Sequence, residues 1–185
     1  MIFQQYKIAF GGTMGAGKSA AIKVLSDIDV VSTEARNTDV ESHTKYLTTV
    51  GIDYGEICLE DGIKIGLYGT PGQDRFNFMW SIVCKGALGT VILIDHSRTE
   101  RLQDLEFYLD AFRAYGNNIV IGITHLDEKD DQVLKIYRDW MLIRDLHFPL
   151  YAVDARNRDD VLLMIETLIA SVEINTQFGQ KSAGV

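Results

Sequence analysis

The sequence predicts an α/β fold, in which a six-stranded and mostly parallel sheet has one antiparallel edge strand and helices on both faces. Three observations support this fold class. Short apolar runs alternate with stretches of helical periodicity, which is the pattern of a parallel sheet. The run Gly89–Asp95 is almost continuously apolar, as in a central strand buried on both faces. Glu60–Gly62 places Asp-Gly between two strand-like runs, which predicts a hairpin.

The first half of the chain begins with a β-favouring run at Tyr6–Phe10, and a helix-compatible stretch at Ser19–Leu25 follows. Asp29–Lys45 is polar without a sustained apolar period, and we interpret it as a long loop of functional or mobile character. The two strands of the hairpin are Ile52–Leu59 and Ile63–Tyr68. One of them must run antiparallel to the rest of the sheet.

In the second half of the chain, predicted strands and helices alternate more regularly. Arg101–Tyr115 has apolar residues at the spacing of an amphipathic helix. The other predicted elements are a short helix at Asp74–Lys85, strands at Gly89–Asp95, Ile119–Ile123 and Leu150–Val153, and helices at Asp130–Asp145 and Arg158–Ile174. We therefore expect one domain over residues 1–174 and a flexible tail over 175–185.

Charge and hydropathy exclude some classes of function. The chain of 185 residues has a formal net charge of −8, whereas a nucleic-acid surface needs a basic patch or stripe. The longest apolar runs fall short of the ~18 residues that a membrane span requires. The termini match neither a secretory segment nor a lipidation motif. We expect a cytoplasmic protein that reaches a membrane only through a partner.

A phosphate-binding motif stands between the first strand and the first helix. Its members are Gly12, Thr13, Met14, Gly15, Ala16, Gly17, Lys18 and Ser19, which match G-x-x-x-x-G-K-[ST] in full. The glycines allow the backbone to approach a phosphate closely, and the helix N-terminus adds partial positive charge. Lys18 is expected to reach the β- and γ-phosphates, and the Ser19 hydroxyl to ligate Mg²⁺. The motif therefore predicts binding of a nucleoside phosphate.

Four further segments resemble the motifs of Ras-like small GTPases. Gly69–Phe76 is similar to the second switch of that superfamily, and Thr49–Tyr54 is similar to the end of the first switch. Thr124–Asp127 stands where the superfamily carries its N-K-x-D guanine motif, and Asp154–Arg156 where it carries S-A-K. The resemblance implies a Ras-like G domain of the P-loop NTPase class that binds GTP or GDP with Mg²⁺.

Details of these segments resemble the bacterial MglA-type GTPases and the related proteins of actinobacterial conservons. The similar features are Asp53–Ile57, the Thr-Pro-Gly-Gln form of the second switch, and Asp154–Arg156. Such GTPases typically act beside a Roadblock/LC7-domain protein, so the resemblance implies that partner. It also implies an effector that recognises the two switch segments, and a role in polarity, motility or pilus-type regulation.

The resemblance assigns roles to individual residues. Thr49 would contact the γ-phosphate and Mg²⁺, the Gly72 N–H would sense the γ-phosphate, and Gln73 would orient the attacking water. Asp127 would accept hydrogen bonds from the N1–H and amino group of guanine. The Ala155 N–H would face the guanine O6. Each of these residues also has an ordinary structural interpretation, such as a turn residue or a helix cap.

The chain departs from the superfamily at several of these positions. Gly69 replaces the Asp of D-x-x-G, and Asp53 on the neighbouring strand is the candidate replacement for metal support. Met14 stands where a small glycine is usual, which suggests slow hydrolysis. Thr124 and His125 replace Asn and Lys, so guanine preference depends mainly on Asp127.

Several alternatives remain open from the sequence. Arg36 or Arg75 could assist hydrolysis in cis, or could be solvated side chains. The dense apolar cluster at Phe76–Trp80 could pack on the third helix or form a partner surface. For the whole chain, the leading hypothesis is a GTP-dependent molecular switch in which the segments 29–45 and 69–85 change order. A P-loop kinase and a nucleotide-binding module without hydrolysis are the alternatives.

Overall fold

A computed structural model of the chain describes residues 6–36, 49–59, 62–72, 76–127 and 131–182. At residues 33–36, 49, 50, 131 and 176–182 only the backbone is described. The strands are β1 Tyr6–Gly12, β2 Val31–Arg36, β3 Thr49–Cys58, β4 Lys64–Gly69, β5 Gly89–Asp95, β6 Ile119–Thr124 and β7 Leu150–Ala152. The helices are α1 Lys18–Leu25, α2 Phe78–Cys84, α3 Arg101–Arg113, α4 Asp131–Ile143 and α5 Arg158–Ser182.

The described strands form one sheet in the order β2-β3-β4-β1-β5-β6-β7. Strand β1 lies in the middle and pairs in parallel with β4 and β5, and β6 and β7 continue the parallel arrangement. Strand β3 is antiparallel to both of its neighbours. The predicted fold class, a mostly parallel sheet with helices on both faces, is confirmed. In such sheets, ligands bind beyond the carboxyl ends of the parallel strands.

Two details of the prediction were wrong. The sheet has seven strands rather than six, because Val31–Arg36, which was interpreted as part of a loop, pairs along β3 from Val31 opposite Tyr54 to Arg36 opposite Thr49. The antiparallel strand is consequently second from the edge. An edge strand has little apolar surface to bury, as the 54% exposure of Val31 illustrates, so hydrophobic periodicity gives almost no signal for it.

Successive side chains of the central strands point to opposite faces of the sheet, and the core is therefore divided into two layers. Ile8 and Phe10 face α1 and α5, while Ala9 faces the layer of α2, α3 and α4. In β5, Leu93 packs in the layer of α1 and α5, and Ile94 packs in the layer of α2, α3 and α4. The loops at the carboxyl end of β1 are therefore fixed from both faces of the sheet.

The aromatic cluster Phe76–Trp80 is divided between the core and the surface. Trp80 is buried and packs on α3, where its ring stacks on Phe112 at a centroid distance of 5.1 Å. Phe78 is 60% exposed, as is Ile82 at 61%. One face of α2 is thus core, and the other offers apolar surface to solvent.

The last helix is longer than expected. It continues through Ser182 instead of ending near Ile174. Among the described residues, no helix has the combination of length and apolar character needed to cross a bilayer.

Candidate functional site

The phosphate-binding motif forms the loop between β1 and α1. Gly12, Gly15 and Gly17 have φ angles of 131°, 85° and 100°, a region that L-residues other than glycine rarely adopt. A Cβ atom on Gly12 would also lie only 2.1 Å from the carbonyl oxygen of Leu93. The loop geometry therefore depends on the glycines of the motif, and it directs the chain into α1 at Lys18.

Lys18 is held inside this loop. Its Nζ donates hydrogen bonds of 2.7 Å to the carbonyl oxygens of Gly12 and Thr13, and the residue is only 8% exposed. Burial lowers the pKa of Lys18 to about 8, and the negative charge of Asp53 opposes that shift. The ammonium group is thus a desolvated cation at the start of α1, where an anion would bind.

Three oxygen-bearing side chains, those of Ser19, Ser32 and Asp53, meet near the start of α1. The Ser19 hydroxyl and the Ser32 hydroxyl each donate a hydrogen bond to a different carboxylate oxygen of Asp53. Ser19 and Asp53 line a cavity of about 330 Å³ together with Lys18 and Gly72. Hydroxyl and carboxylate oxygens are the ligands that Mg²⁺ prefers, and Mg²⁺ usually takes its remaining ligands from water and substrate phosphates.

The small number of oxygen ligands at this site fits a magnesium ion that keeps water and phosphate ligands. Within the part of the chain that the structure describes, no group of three or more His, Cys, Asp or Glu side chains could enclose a metal ion. A dedicated metal cage is not required for magnesium at a phosphate site. Ser19 and Asp53 therefore fit a metal ion that arrives with a polyphosphate.

Gly72 lies directly against the loop. A Cβ atom on Gly72 would stand 2.5 Å from the Met14 backbone nitrogen and 2.8 Å from Lys18 Nζ. The structure thus places Gly72 next to Met14 and Lys18 of the phosphate-binding loop. Gln73 and Arg75 lie outside the described residues, and the described part of Arg36 and Thr49 is their backbone in β2 and β3.

The last residue of β6 and the residue after it contact the phosphate-binding loop through their side chains. The buried Thr124 hydroxyl bonds to the carbonyl oxygen of Ala16 at 3.0 Å and to that of Ile94 at 3.3 Å. His125 has a positive φ of 55°, and its Nε2 lies 2.9 Å from the carbonyl oxygen of Gly15. Thr124 and His125 therefore connect the predicted base-recognition segment to the phosphate-binding loop.

The two predicted base-recognition segments line one cavity of about 570 Å³, which includes Asp127 on one side and Ala155 on the other. Ala155 packs so closely that a Cβ on Gly17 would be 2.7 Å from the Ala155 Cβ. Asp154 accepts two side-chain hydrogen bonds of 2.9 Å from Arg156, and this pairing raises the pKa of the Arg156 guanidinium. Residues far apart in the chain are thus assembled at one edge of the sheet.

The sequence did not reveal every residue near the site. Ser32 was missed because its strand was interpreted as a loop. The hydroxyl of Tyr108 on α3 donates to the Gly72 carbonyl oxygen at 3.3 Å, a contact that was hidden because Tyr108 fits the apolar face of its helix. No pattern in the sequence distinguishes such a residue from an ordinary core aromatic.

Comparison with known proteins shows the family of the chain. Residues 10–169 match the model of a family described as "Conserved hypothetical ATP binding protein". The chain belongs to this family. The matched region extends from the end of β1 into α5, and so includes both the phosphate-binding loop and the two predicted base-recognition segments.

Members of other groups are similar as well. The Ras-related protein Rab-27A of Sus scrofa is 28% identical over 149 residues, which cover 71% of this chain and 67% of that protein. The crystal structure of the bacterial selenocysteine-specific elongation factor EF-Sec superposes with a TM-score of 0.65 at 20% identity. The match covers 91% of this chain but only 29% of the EF-Sec chain. With the loop geometry, these similarities identify a nucleotide-binding P-loop NTPase.

Proposed function

We propose that the chain is a GTP-binding molecular switch that hydrolyses GTP slowly. The observation that carries the proposal is the single cavity shared by Asp127 and Ala155 next to the phosphate-binding loop. A carboxylate at Asp127 can accept from both the N1–H and the amino group of guanine, whereas adenine offers no such pair of donors. The family description refers to ATP, so base preference is the first property to measure.

The mechanism follows from the chemistry of phosphoryl transfer. Positioning and charge stabilisation supply most of the rate, because the protein performs little covalent chemistry. Lys18 would neutralise the β- and γ-phosphates, and Ser19, Thr49 and Asp53 would hold Mg²⁺ directly or through water. A bound Mg²⁺ would supply neutralisation of the charge that develops between the β- and γ-phosphates. Gln73 would orient water for attack.

Slow turnover is expected from the surroundings of Met14. Its backbone lies against Gly72, and its side chain is 68% exposed at the mouth of the site. Such bulk would hinder an arginine finger supplied by a partner. Small GTPases without a finger turn over at the order of 10⁻⁴ s⁻¹, and a finger adds roughly 10³- to 10⁵-fold. A protein of this kind acts as a timer rather than a metabolic catalyst.

By resemblance to the MglA and conservon GTPases, we further propose a Roadblock/LC7-type partner and a cytoplasmic role in polarity or motility. The exposed apolar side chains of Phe78 and Ile82 on α2 are suitable for a nucleotide-dependent effector. Binding assays with a co-encoded Roadblock protein in the GDP and GTP states would test this part. Equal binding in both states would contradict it.

The decisive experiment identifies the nucleotide. Mass spectrometry of nucleotide released from the purified protein should find GDP or GTP, and calorimetry should show tighter binding of Mg·GTP and Mg·GDP than of Mg·ATP. Lys18→Ala should abolish retention, while Lys23→Ala, at an exposed position of the same helix, should not. Tighter binding of ATP would overturn the guanine assignment.

Hydrolysis separates the remaining alternatives. A switch releases only free phosphate, a P-loop kinase transfers phosphate to a small acceptor, and a binding module leaves GTP intact. Single-turnover measurements with and without the Roadblock partner, together with an acceptor screen, distinguish these three outcomes.

A further inference from the structure

Two residues of the second-switch segment, Thr70 and Pro71, are held by hydrogen bonds to two different elements, β1 and α2. The Thr70 backbone N–H and hydroxyl both donate to the Phe10 carbonyl oxygen, at 2.8 and 2.9 Å. The indole Nε1–H of Trp80 donates to the Pro71 carbonyl oxygen at 3.1 Å. Two consecutive residues are thus anchored, one to β1 and one to α2, immediately before Gly72.

The bond from Trp80 controls more than the position of Pro71. The Pro71 carbonyl and the Gly72 N–H belong to one planar trans peptide, since the described residues contain no cis peptide bond. In such a plane the C=O and N–H groups point in opposite directions. By holding the carbonyl on the α2 side, the indole fixes the direction of the Gly72 N–H away from α2.

The next peptide plane is held in a similar way. The Tyr108 hydroxyl of α3 donates to the Gly72 carbonyl oxygen at 3.3 Å, and the rings of Tyr108 and Trp80 lie 5.5 Å apart. Both residues are buried, at 1% and 2% exposure. The two peptide planes that flank Gly72 are therefore set by one aromatic cluster between α2 and α3.

The surroundings restrict how far Trp80 can move. Its ring stacks on Phe112 at 5.1 Å and meets the edge of Phe107 at 5.8 Å. A side chain packed on several sides keeps its N–H aimed at one acceptor. A phenylalanine could retain much of this packing but would donate no hydrogen bond.

We propose that Trp80 is a positioning residue for recognition of the terminal phosphate: its indole N–H orients the Pro71–Gly72 peptide so that the Gly72 N–H is preorganised for the γ-phosphate of a nucleoside triphosphate. This inference rests on the proposed function. It assigns to Trp80 a selective effect on triphosphate binding, because a diphosphate offers no γ-phosphate for Gly72 to contact. A merely structural tryptophan would affect both nucleotides equally.

The test compares Trp80→Phe, Tyr108→Phe and the unaltered protein in calorimetric titrations with Mg·GTPγS and Mg·GDP. Trp80→Phe should weaken GTPγS binding roughly five- to 100-fold, which is the range for a lost buried hydrogen bond, and change GDP affinity by less than about twofold. Tyr108→Phe should act in the same direction with a smaller effect. The matched control is Trp140→Phe on α4, which should leave both affinities unchanged.

The outcomes distinguish this inference from the proposed function. An unchanged ratio of the two affinities in Trp80→Phe would overturn the inference alone. An unaltered protein that binds neither guanine nucleotide would overturn both. Should Trp80→Phe fail to fold, Tyr108→Phe decides, because it removes a hydrogen bond to the same Pro71–Gly72 segment. An unchanged ratio of the two affinities in Tyr108→Phe would then overturn the inference.

Discussion

The carboxylate of Asp53 lies beside Gly69 on the adjacent strand. A Cβ atom on Gly69 would stand 3.3 Å from the Asp53 Cβ and 3.5 Å from Oδ2. Gly69 is the position at which the resemblance to Ras-like GTPases implies an acidic residue that supports Mg²⁺. The acidic group here thus projects into the same region from β3 instead of β4, and it reaches the Ser19 hydroxyl.

We therefore expect Asp53→Asn to weaken magnesium-dependent nucleotide binding by about 10- to 100-fold, the usual cost of removing a group that orients a metal ligand. The measurement is GDP affinity across a magnesium titration. The double change Asp53→Gly with Gly69→Asp should recover part of the magnesium dependence. Asp110→Asn, at an exposed position on α3, is the control. Magnesium dependence that survives in Asp53→Asn would show that the carboxylate has another purpose.

The lowered pKa of Lys18 predicts that nucleotide binding depends on pH. Burial lowers its pKa to about 8, and a bound polyphosphate favours the charged form. Binding should therefore take up a proton once the pH rises past that value, and affinity should be steady near pH 7 and fall by up to about tenfold per pH unit above 8.

Calorimetry between pH 7 and 9 in buffers of different ionisation enthalpy measures both the affinity and the proton uptake. Lys23→Ala should keep the same profile. A flat profile over this range would mean that Lys18 stays charged in the free protein.

Local motifs made part of this site predictable. The phosphate-binding loop follows from eight consecutive residues, and the pairing of Asp53 with the Gly69 position follows from the hairpin. The strand at Val31–Arg36 could not be predicted, because edge pairing depends on backbone hydrogen bonds to β3 and hardly on the side-chain pattern. The contacts of Trp80 and Tyr108 with the Pro71–Gly72 segment require the packed α2–α3 layer, so only the tertiary structure reveals them.

The buried hydroxyl of Thr124 is expected to contribute to the stability of the nucleotide-free protein. Its hydroxyl bonds to the carbonyl oxygens of Ala16 and Ile94 in a site that is 2% exposed. Thr124→Val keeps the shape but leaves these acceptors without that donor, at a cost of roughly 1–3 kcal/mol. Denaturant unfolding of the nucleotide-free protein measures the change, and Thr99→Val, at an exposed loop position, should be close to neutral. A similarly small effect for Thr124→Val would contradict the structural role of the hydroxyl.

Gly72 has no room for a side chain. Alanine would place its Cβ within 2.5 Å of the Met14 nitrogen and 2.8 Å of Lys18 Nζ, so the segment would have to withdraw from the loop. Gly72→Ala should therefore lower GTPγS affinity by at least about tenfold and retain more of the GDP affinity. Lys23→Ala, at an exposed position of α1, should have little effect. Equal GTPγS binding by the two variants would place the γ-phosphate away from Gly72.

Replacing Asp127 with asparagine is expected to change the preferred base from guanine to xanthine. Its carboxylate accepts two donors from guanine in the proposed complex, and an amide in its place would present a donor to the guanine amino group. Asp127→Asn should therefore weaken GTP by about 10²-fold or more, since two charge-assisted hydrogen bonds are lost. The same variant should bind xanthosine triphosphate better than GTP, because xanthine carries a carbonyl acceptor in place of the amino group. Competition titrations of GTP, XTP and ATP against a labelled nucleotide measure the order, with Asp139→Asn on α4 as the control. If Asp127→Asn keeps the order of the unaltered protein, Asp127 does not contact the base, and the cavity between residues 124–127 and 153–156 would recognise its nucleotide by shape and backbone groups alone.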